Sequence, residues 1–306
     1  MHRHHVAHSF IAAPWRESPF MKIAILGALG FLGKNLAQSL IEQGHDVTGF
    51  VLKLPKTTGT KIKYESVSGL LDPKYRTQDE FDVCINLAAR RSTRSIPLSS
   101  EEVRKFTFSI PQEFITRTAS PQTLVLNAST YIQNFQGVVG QTVDSYGAAK
   151  QELSEFLRTR SENEFFRTLD LFLFTIYGPG DQPSHLVPSL LYAAKTGLPM
   201  ELSAGYQLMN LTYIEDVVAN FSRALIFSSD KHYEKRFLWG QEYLTVRNLV
   251  SIIEETIGRE IKCKWGVREY AGHEMMDAWS VPMDQFPGFS IEIPLIEGIK
   301  KIWAID

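Results

Sequence analysis

The stretch KIAILGALGFLGKNLAQSLIEQGHDVTGFVL (22–52) carries the strongest structural signal in this chain. It opens with a short apolar run, of the kind that forms a buried parallel strand, and continues into the glycine-rich loop GALGFLG (27–33). Leu32, Leu36 and Leu40 then recur at the spacing of an amphipathic helix. A glycine ends that helix and a second apolar run follows. The stretch therefore predicts one strand–helix–strand unit with a glycine-rich first turn.

Further apolar runs of strand length occupy residues 83–87, 124–126 and 169–176. Helical patterns lie between them, at 101–119 and 146–160. Strands that alternate with helices predict the α/β class, with a Rossmann-type doubly wound parallel sheet.

The pattern changes after residue 177, because glycines and prolines break up the chain as far as residue 199. Residues 211–228 return to a strand followed by a helix, and Thr245 introduces an amphipathic helix over 245–257. The tail carries one short helix near its end. We therefore expect two domains. The dinucleotide-binding domain comprises residues 21–176 and 209–240, and a smaller C-terminal substrate-binding domain comprises 177–208 and 241–306.

Composition narrows the class of protein. The 306 residues carry a net charge of −2, which gives no reason to expect nucleic acid or an anionic membrane as a partner. No apolar run approaches the roughly 20 residues that span a bilayer. Cys84 and Cys263 form neither a disulfide framework nor a metal site and fit a reducing compartment, so we expect a cytoplasmic protein. Cys84 lies in a strand-like run and is expected to act as a small buried hydrophobic residue.

Residues 1–20 differ from the rest of the chain. They contain several histidines, but no predicted helix or strand would hold these side chains around a metal ion. We expect a disordered extension or a tag, with Met21 as the natural first residue, and no metal site in the chain.

The glycine-rich loop predicts a dinucleotide site. A helix N-terminus presents unpaired N–H groups and a partial positive charge, and glycines let a pyrophosphate approach the backbone closely. Gly27, Gly30 and Gly33 have a strand before them and an amphipathic helix after them, so we expect cofactor binding here, with Phe31 and Leu32 taking part. A purely structural turn is the alternative.

The end of the second strand bears on the choice of cofactor. NAD sites usually carry an acid there, which binds the ribose hydroxyls. This chain has Val51 and Leu52 instead, followed by Lys53 and Lys56. The lysines either neutralise a 2′-phosphate or are solvated loop residues. The missing acid favours NADP(H) over NAD(H), with Lys53 among the cofactor-binding residues.

Tyr146 and Lys150 are four residues apart in a helical pattern and so share a helix face. A free tyrosine, with a pKa of about 10, is a poor proton donor at neutral pH, and an adjacent lysine ammonium lowers that pKa. The run 124–126 leads into Ser129 and Thr130, whose hydroxyls can bind a reacting oxygen. This combination predicts a catalytic site, and an ordinary surface pair is the alternative.

Together these motifs resemble the extended short-chain dehydrogenase/reductase superfamily, and within it the NAD-dependent epimerase/dehydratase family, which acts on nucleotide sugars. The resemblance runs from Met21 to the C-terminus. The segments that carry it are GALGFLG (27–33), NLAA (86–89), Ser129-Thr130, YGAAK (146–150), YGPGD (177–181), NLTYIEDVV (210–218) and PLIEGIKK (294–301).

The resemblance implies roles for these residues. Tyr146 would be the general acid/base, and Lys150 its partner that also holds the nicotinamide ribose. Thr130 matches the catalytic hydroxyl better than Ser129, and Thr130 and Tyr146 would contact the substrate. Arg268 matches a tail arginine that binds the nucleotide diphosphate, or it is a surface arginine. The remaining expected residues are Leu87, Ala88 and Ala89 for the cofactor, and Arg91, or its neighbour Arg90, for phosphate groups.

The short distance from Thr130 to Tyr146, together with ELSAGYQLMNLTYIEDVV (201–218), looks like the sub-group of CDP-abequose and CDP-paratose synthases. Those enzymes reduce the 4-keto group of a nucleotide-linked 3,6-dideoxyhexose with NADPH. Dehydratases of the family have Asp-Glu after the catalytic threonine, where this chain has Tyr131 and Ile132. The resemblance therefore implies a 4-keto reductase for surface-polysaccharide sugars such as those of O-antigen.

Two other functions stay open. One is a nucleotide-sugar 4-epimerase that retains NAD, and the other is a non-catalytic dinucleotide-binding protein with a structural or sensing role. Members of the family commonly dimerise by pairing the Tyr-x-x-x-Lys helix with the helix before it, so we expect a homodimer. The apolar residues that serve either this contact or the core are Phe106, Phe108, Phe114 and Ile115.

Overall fold

The computed structural model describes residues 20–56, 61–75, 80–93, 96–240, 242–278 and 284–305. The extension predicted at residues 1–20 lies outside the described residues, apart from Phe20. The strands are β1 (Lys22–Leu26), β2 (Asp46–Val51), β3 (Lys63–Ser66), β4 (Val83–Asn86), β5 (Leu124–Thr130), β6 (Arg167–Leu173), β7 (Thr175–Tyr177), β8 (Met200–Glu201), β9 (Leu208–Tyr213), β10 (Tyr233–Leu238), β11 (Tyr243–Thr245) and β12 (Cys263–Lys264).

The α-helices alternate with these strands through the first two-thirds of the chain. They are α1 (Phe31–Glu42), α2 (Val67–Leu70), α3 (Ser100–Arg104), α4 (Ile110–Thr118), α5 (Ser145–Glu162), α6 (Leu186–Thr196), α7 (Ile214–Ala224), α8 (Val246–Ile257) and α9 (Leu295–Ile305). Among the described helices, none combines the length and the apolar composition needed to cross a bilayer.

Seven parallel strands form the central sheet, in the order β10-β6-β5-β4-β1-β2-β3. The strand order reverses at β1, which lies between β2 and β4. This arrangement confirms the predicted Rossmann-type doubly wound sheet. In such sheets ligands bind at the carboxyl ends of the strands, next to the point of reversal.

Alternate residues of β1 supply two separate cores, one on each face of the sheet. Ile23 and Ile25 pack with Leu36 of α1 on one face, whereas Ala24 and Leu26 belong to the cluster on the other face. A strand that is buried on both sides needs apolar residues at every position, which is why β1 reads as a continuous apolar run.

The predicted strand 169–176 is two strands. β6 ends at Leu173, and after Phe174 the chain enters β7, which pairs with β9 in a smaller sheet of order β11-β9-β7. β9 falls in the stretch assigned to the dinucleotide-binding domain, yet it pairs outside the central sheet, whereas β10 from the same stretch joins it. The division into two domains stays a prediction.

The predicted helix at 101–119 spans α3 and α4, joined by a π-helical turn over Lys105–Ser109. Ser99 begins it with a capping box that involves Glu102. Phe114 and Ile115, considered as dimer contacts, are fully buried in this chain's own core, where Phe114 packs edge-on against Phe50.

The expectation that prolines and glycines break up residues 178–199 is wrong for α6. Pro188 occupies the third position of this helix, where its missing N–H removes no intrahelical hydrogen bond. Gly197 ends the helix in the left-handed conformation, with a φ of 67°.

Gly33 lies inside α1 at a point where the helix touches the preceding loop. A Cβ added there would stand 2.1 Å from the Gly27 carbonyl oxygen and 2.9 Å from Ala28 Cα. Both atoms belong to the backbone, so the contact cannot be relieved by rotating a side chain. Gly33, the third glycine of the loop, is therefore required for the packing of α1 against the loop, whether or not a ligand is bound.

We expect Gly33→Ala to lower the free energy of unfolding by about 1–3 kcal/mol, because overpacking outweighs the higher helix propensity of alanine. Denaturant unfolding of the cofactor-free protein measures the change. Gly272→Ala is the matched control, since nothing lies within 4 Å of its added Cβ, and it should change stability by less than about 0.5 kcal/mol. Equal stability of Gly33→Ala and the natural protein would contradict the packing argument.

Candidate active site

The loop after β1 forms a cradle of backbone groups. Gly27 has a φ of 89°, which favours glycine, and its N–H donates to the Phe50 carbonyl at 3.0 Å. Gly30 N–H donates to the Gly27 carbonyl at 2.9 Å, which closes the turn into α1. Of the described side chains, none caps the N-terminus of α1. The first N–H groups of a twelve-residue helix therefore remain available to an anion such as a pyrophosphate.

The segment after β4 lies against this loop. Leu87 N–H donates to the Leu26 carbonyl at 3.0 Å, and Asn86 Oδ1 accepts from Ala88 N–H at 3.1 Å. A Cβ on Gly27 would come within 3.1 Å of Ala88 N. The structure therefore brings Leu87, Ala88 and the adjacent Ala89 together with the glycine loop, as expected for residues that share one dinucleotide.

The end of β2 carries the residues that bear on NADP against NAD. β2 ends at Val51, and Leu52, Lys53 and Lys56 are exposed beyond it. The position where an acid would bind ribose hydroxyls is thus occupied by apolar residues, with lysines next to it.

Thr130 and Tyr146 meet at the carboxyl end of β5. Thr130 is the last residue of that strand, and Tyr146 lies in the first turn of α5. The Thr130 side chain is close enough to the Tyr146 hydroxyl to act on it, and it lowers the pKa of that group. Asp144 starts α5 by accepting from Gly147 N–H at 2.7 Å, and so fixes the turn that carries Tyr146. The helix predicted at 146–160 is confirmed.

Arg91 is the cation over the tyrosine ring. Its guanidinium carbon lies 5.6 Å from the centre of the Tyr146 ring, and Nη2 donates to Asp144 Oδ2 at 2.7 Å. Burial raises the pKa of Tyr146 to about 12 although the charge of Arg91 acts in the opposite direction, so the lowered pKa expected from the sequence is wrong. Sequence reasoning had Arg91 only as a phosphate ligand. Asp144 holds the Arg91 side chain in this position, and the two residues are 53 positions apart in the sequence.

Lys150 is buried behind Tyr146, with 2% of its surface exposed. Its ammonium donates a hydrogen bond to the Ala128 carbonyl of β5. Burial lowers the pKa of Lys150 to about 8, and the charge of Asp170 opposes that shift. A buried ammonium with a pKa this close to neutral is the kind of group that active sites use.

Ser129 and Thr130 point to opposite faces of β5, as neighbours in a strand do. The Ser129 hydroxyl donates to Asp170 Oδ1 at 2.5 Å and accepts from Asn127 Nδ2 at 3.0 Å, inside a buried polar cluster. The structure therefore places Thr130 on the side of Tyr146, whereas Ser129 contacts Asp170 and Asn127 on the other face of β5.

A cleft of about 1510 Å³ adjoins this site and lies between α6 and the chain after β12. Tyr131, directly after Thr130, lines it and stacks on Phe174 with ring centres 5.0 Å apart. Arg268 lines the same cleft with an exposed side chain. The backbone N–H of Arg268 donates to the Leu202 carbonyl at 3.0 Å. The predicted substrate residue thus lies in a cavity large enough for a nucleotide sugar.

His273 also lines the cleft, and sequence reasoning missed it. Burial, and to a smaller extent the charge of Arg91, lowers its pKa to about 4. The segment is held to β9, because Leu208 N–H donates to the Met275 carbonyl at 2.6 Å. Within the described part of the chain, no three His, Cys, Asp or Glu side chains converge as a metal site.

Comparison with known proteins fits this geometry. The model of the NAD dependent epimerase/dehydratase family matches residues 23–235, which include the glycine loop, Thr130, Tyr146 and Lys150. The chain belongs to this family. Its members act on nucleotide sugars, and the chain is an NAD-dependent enzyme of this kind.

Three similar proteins illustrate the range within the family. CDP-abequose synthase from Salmonella muenchen is 20% identical and the match spans 93% of this chain and 97% of that protein. Protein CapI from Staphylococcus aureus is 25% identical over 66% of this chain and 69% of its own length. The crystal structure of UDP-glucuronic acid 4-epimerase from Bacillus cereus, with UDP-glucuronic acid and NAD, has a TM-score of 0.78 at 18% identity and covers 93% of this chain and 98% of that one.

His273 makes a prediction about acid stability. Its folded-state pKa of about 4 lies below the ordinary value of 6.5, so the folded state resists protonation. Stability should therefore fall as the pH drops from 6.5 to about 4, by roughly 1–2 kcal/mol because solvent partly screens this half-buried side chain. In His273→Gln this loss should be smaller, as measured by urea unfolding at a series of pH values.

His185 provides the control, because its pKa is shifted the other way. A 2.7 Å hydrogen bond to Asp181 raises the pKa of His185, so its contribution is present at low pH and disappears as the pH rises through the folded-state pKa. His185→Gln should lower stability by a constant amount below pH 6.5, so that the acid-side slope stays the same, and should remove the decline above pH 6.5. An identical acid-side loss in His273→Gln and the natural protein would refute the assignment.

Proposed function

We propose that the protein reduces the 4-keto group of a nucleotide-linked deoxyhexose with NADPH, the substrate being of the CDP-4-keto-3,6-dideoxyhexose type. The product would serve the synthesis of surface-polysaccharide sugars. The observation that carries the proposal is the assembly of Thr130, Tyr146 and Lys150 beside the glycine cradle, with no acid directly after Thr130.

The cofactor would lie across the carboxyl edge of the sheet, with its pyrophosphate at the open N-terminus of α1. Leu87, Ala88 and Ala89 line its path, Lys53 and Lys56 would meet the 2′-phosphate, and Lys150 would hold the nicotinamide ribose. When bound, the reduced nicotinamide supplies the hydride. The preference for NADPH rests on the apolar end of β2.

The residues of this chain would bind the carbonyl oxygen and deliver its proton. The Thr130 hydroxyl donates a hydrogen bond to that oxygen and holds it beside Tyr146. As the oxygen gains charge, the Tyr146 hydroxyl gives up its proton, and the positive charges of Arg91 and Lys150 stabilise the phenolate that remains. Burial makes Tyr146 a weaker acid, so the transfer of its proton depends on the positive charges that favour the phenolate.

The residues after Thr130 argue against dehydration. Removal of water from a sugar needs acids and bases at the neighbouring carbons, whereas Tyr131 stacks on Phe174 and Ile132 is 4% exposed. The similarity to CDP-abequose synthase along nearly the whole chain supports reduction. Arg268 would bind the nucleotide diphosphate, and Arg91 would bind a phosphate group or the sugar. The protein would form a homodimer through α5 and the helix before it.

The test is turnover of CDP-linked 4-keto-3,6-dideoxyhexose with NADPH. Tyr146→Phe should lower kcat by at least about 100-fold, because it removes the proton donor, while the affinity for NADPH changes little. Tyr206→Phe loses a hydroxyl on an exposed ring away from Tyr146 and should keep the natural rate.

The 4-epimerase alternative predicts other results. The purified protein would then hold a nicotinamide that does not exchange, and would interconvert C4 epimers without consuming NADPH. Binding of NADPH with no turnover of any 4-keto sugar nucleotide would instead favour a non-catalytic role. Natural turnover by Tyr146→Phe would overturn the assignment of the proton donor.

A further inference from the structure

Asp170 is a fully buried carboxylate in the middle of β6. Oδ1 accepts from Ser129 Oγ at 2.5 Å and from Asn127 Nδ2 at 2.7 Å. Oδ2 accepts from Ser154 Oγ at 2.6 Å and from Tyr233 OH at 2.9 Å. Four donors around two oxygens suit the ionised form, because a neutral carboxyl would turn one oxygen into a donor.

These four donors are all neutral, so hydrogen bonds alone surround a charge that is costly to bury. Such a carboxylate gains stability if a cation lies close by. The mechanism proposed above does not use Asp170, yet Asp170 reaches the site through its partners. Ser154 is four residues after Lys150 on α5, and residues at that spacing share a helix face.

A second connection runs through β5. Lys150 donates to the Ala128 carbonyl, and the next residue, Ser129, donates to Asp170. Lys150 and Asp170 are therefore hydrogen-bonded to adjacent residues of β5. Asp170 also binds Ser154, which lies one helical turn after Lys150 on α5. They are buried groups of opposite charge, and neither is exposed by more than 2%.

We propose that Asp170 is the counter-ion that keeps Lys150 protonated, and thus a positioning residue for the Tyr146–Lys150 pair. Its importance for catalysis rests on the function proposed above, whereas its effect on Lys150 does not. Burial drives Lys150 toward the neutral amine, and the negative charge of Asp170 acts against that. A neutral Lys150 would no longer stabilise the tyrosinate formed when Tyr146 gives up its proton.

Other groups face the pair from each neighbouring element. Tyr146 lies on the same helix as Lys150, and Tyr233 reaches Asp170 from β10. The charges of Arg91 and Asp144 act on Tyr146 in opposite directions, Arg91 lowering its pKa and Asp144 raising it. Glu155 acts on Tyr233 and is bound to Arg158 at the surface of α5. Among these, Asp170 is the buried anion, so its removal should have the largest effect on Lys150.

The test is an NMR titration of the Lys150 side chain in protein labelled with ¹³C at lysine Cε, with the resonance identified by its loss in Lys150→Met. In the natural protein the midpoint should lie near pH 8. Asp170→Asn keeps the shape and removes the charge, and should lower the midpoint by about one pH unit or more. Tyr233→Phe removes one hydrogen bond but keeps the charge, and should shift it by less than about 0.3 unit.

An unchanged midpoint in Asp170→Asn, or equal shifts in both variants, would overturn the proposal. If Asp170→Asn does not fold, the natural protein still decides, because a buried lysine without a counter-ion titrates at about 5–6. A natural midpoint in that range would contradict the proposal. The titration uses no substrate, so its outcome is independent of whether the protein reduces a 4-keto sugar.

Discussion

The parallel pairing of β1 with both β2 and β4 places every part of the site at one edge of the sheet. Because all strands of the central sheet run the same way, the glycine cradle, Lys53, the segment Leu87–Ala89 and Thr130 all follow carboxyl ends of strands. Gly27 and Gly33 then permit backbone contacts that a Cβ would block. The cradle can therefore lie directly beside the chain after β4, where a dinucleotide would bridge them.

Burial sets the second constraint on the site. It disfavours the charged form of both Tyr146 and Lys150, so it raises the pKa of the tyrosine and lowers that of the lysine. Charges on either side oppose these shifts, with Arg91 acting on Tyr146 and Asp170 on Lys150. These charges favour the phenolate of Tyr146 and the ammonium of Lys150, which are the forms that proton donation by Tyr146 needs.

The sequence was most informative where contacts are local. The glycine loop, the helix with Tyr146 and Lys150, and the cap at Thr245 all follow from residues within a few positions of one another, and the structure contains each of them. The break at Phe174 was missed because an apolar run does not reveal where a chain changes sheets. Helix α6 was missed because Pro188 was taken as a breaker, although the first turn of a helix tolerates proline.

Contacts between distant residues had no signal in the sequence. Arg91 and Asp144 are 53 residues apart, and Ser129 and Asp170 are 41 apart. Each pair arises because the sheet brings different strands to the same edge or face. Ser129 and Thr130 looked equivalent as hydroxyl residues, and only the alternation of side chains along β5 separates their surroundings.

Reduction and epimerisation differ in whether the hydride of added NADPH is transferred to the sugar and stays there. NADPH deuterated at C4 of its nicotinamide, on the face that is transferred, should be incubated with CDP-4-keto-3,6-dideoxyhexose and the product examined by mass spectrometry. The proposed reductase predicts one deuterium at sugar C4 for each NADPH oxidised. A product without deuterium would contradict it, as would the absence of NADPH oxidation with this ketone together with interconversion of the two C4 epimers of a CDP-linked 4-hydroxyl sugar.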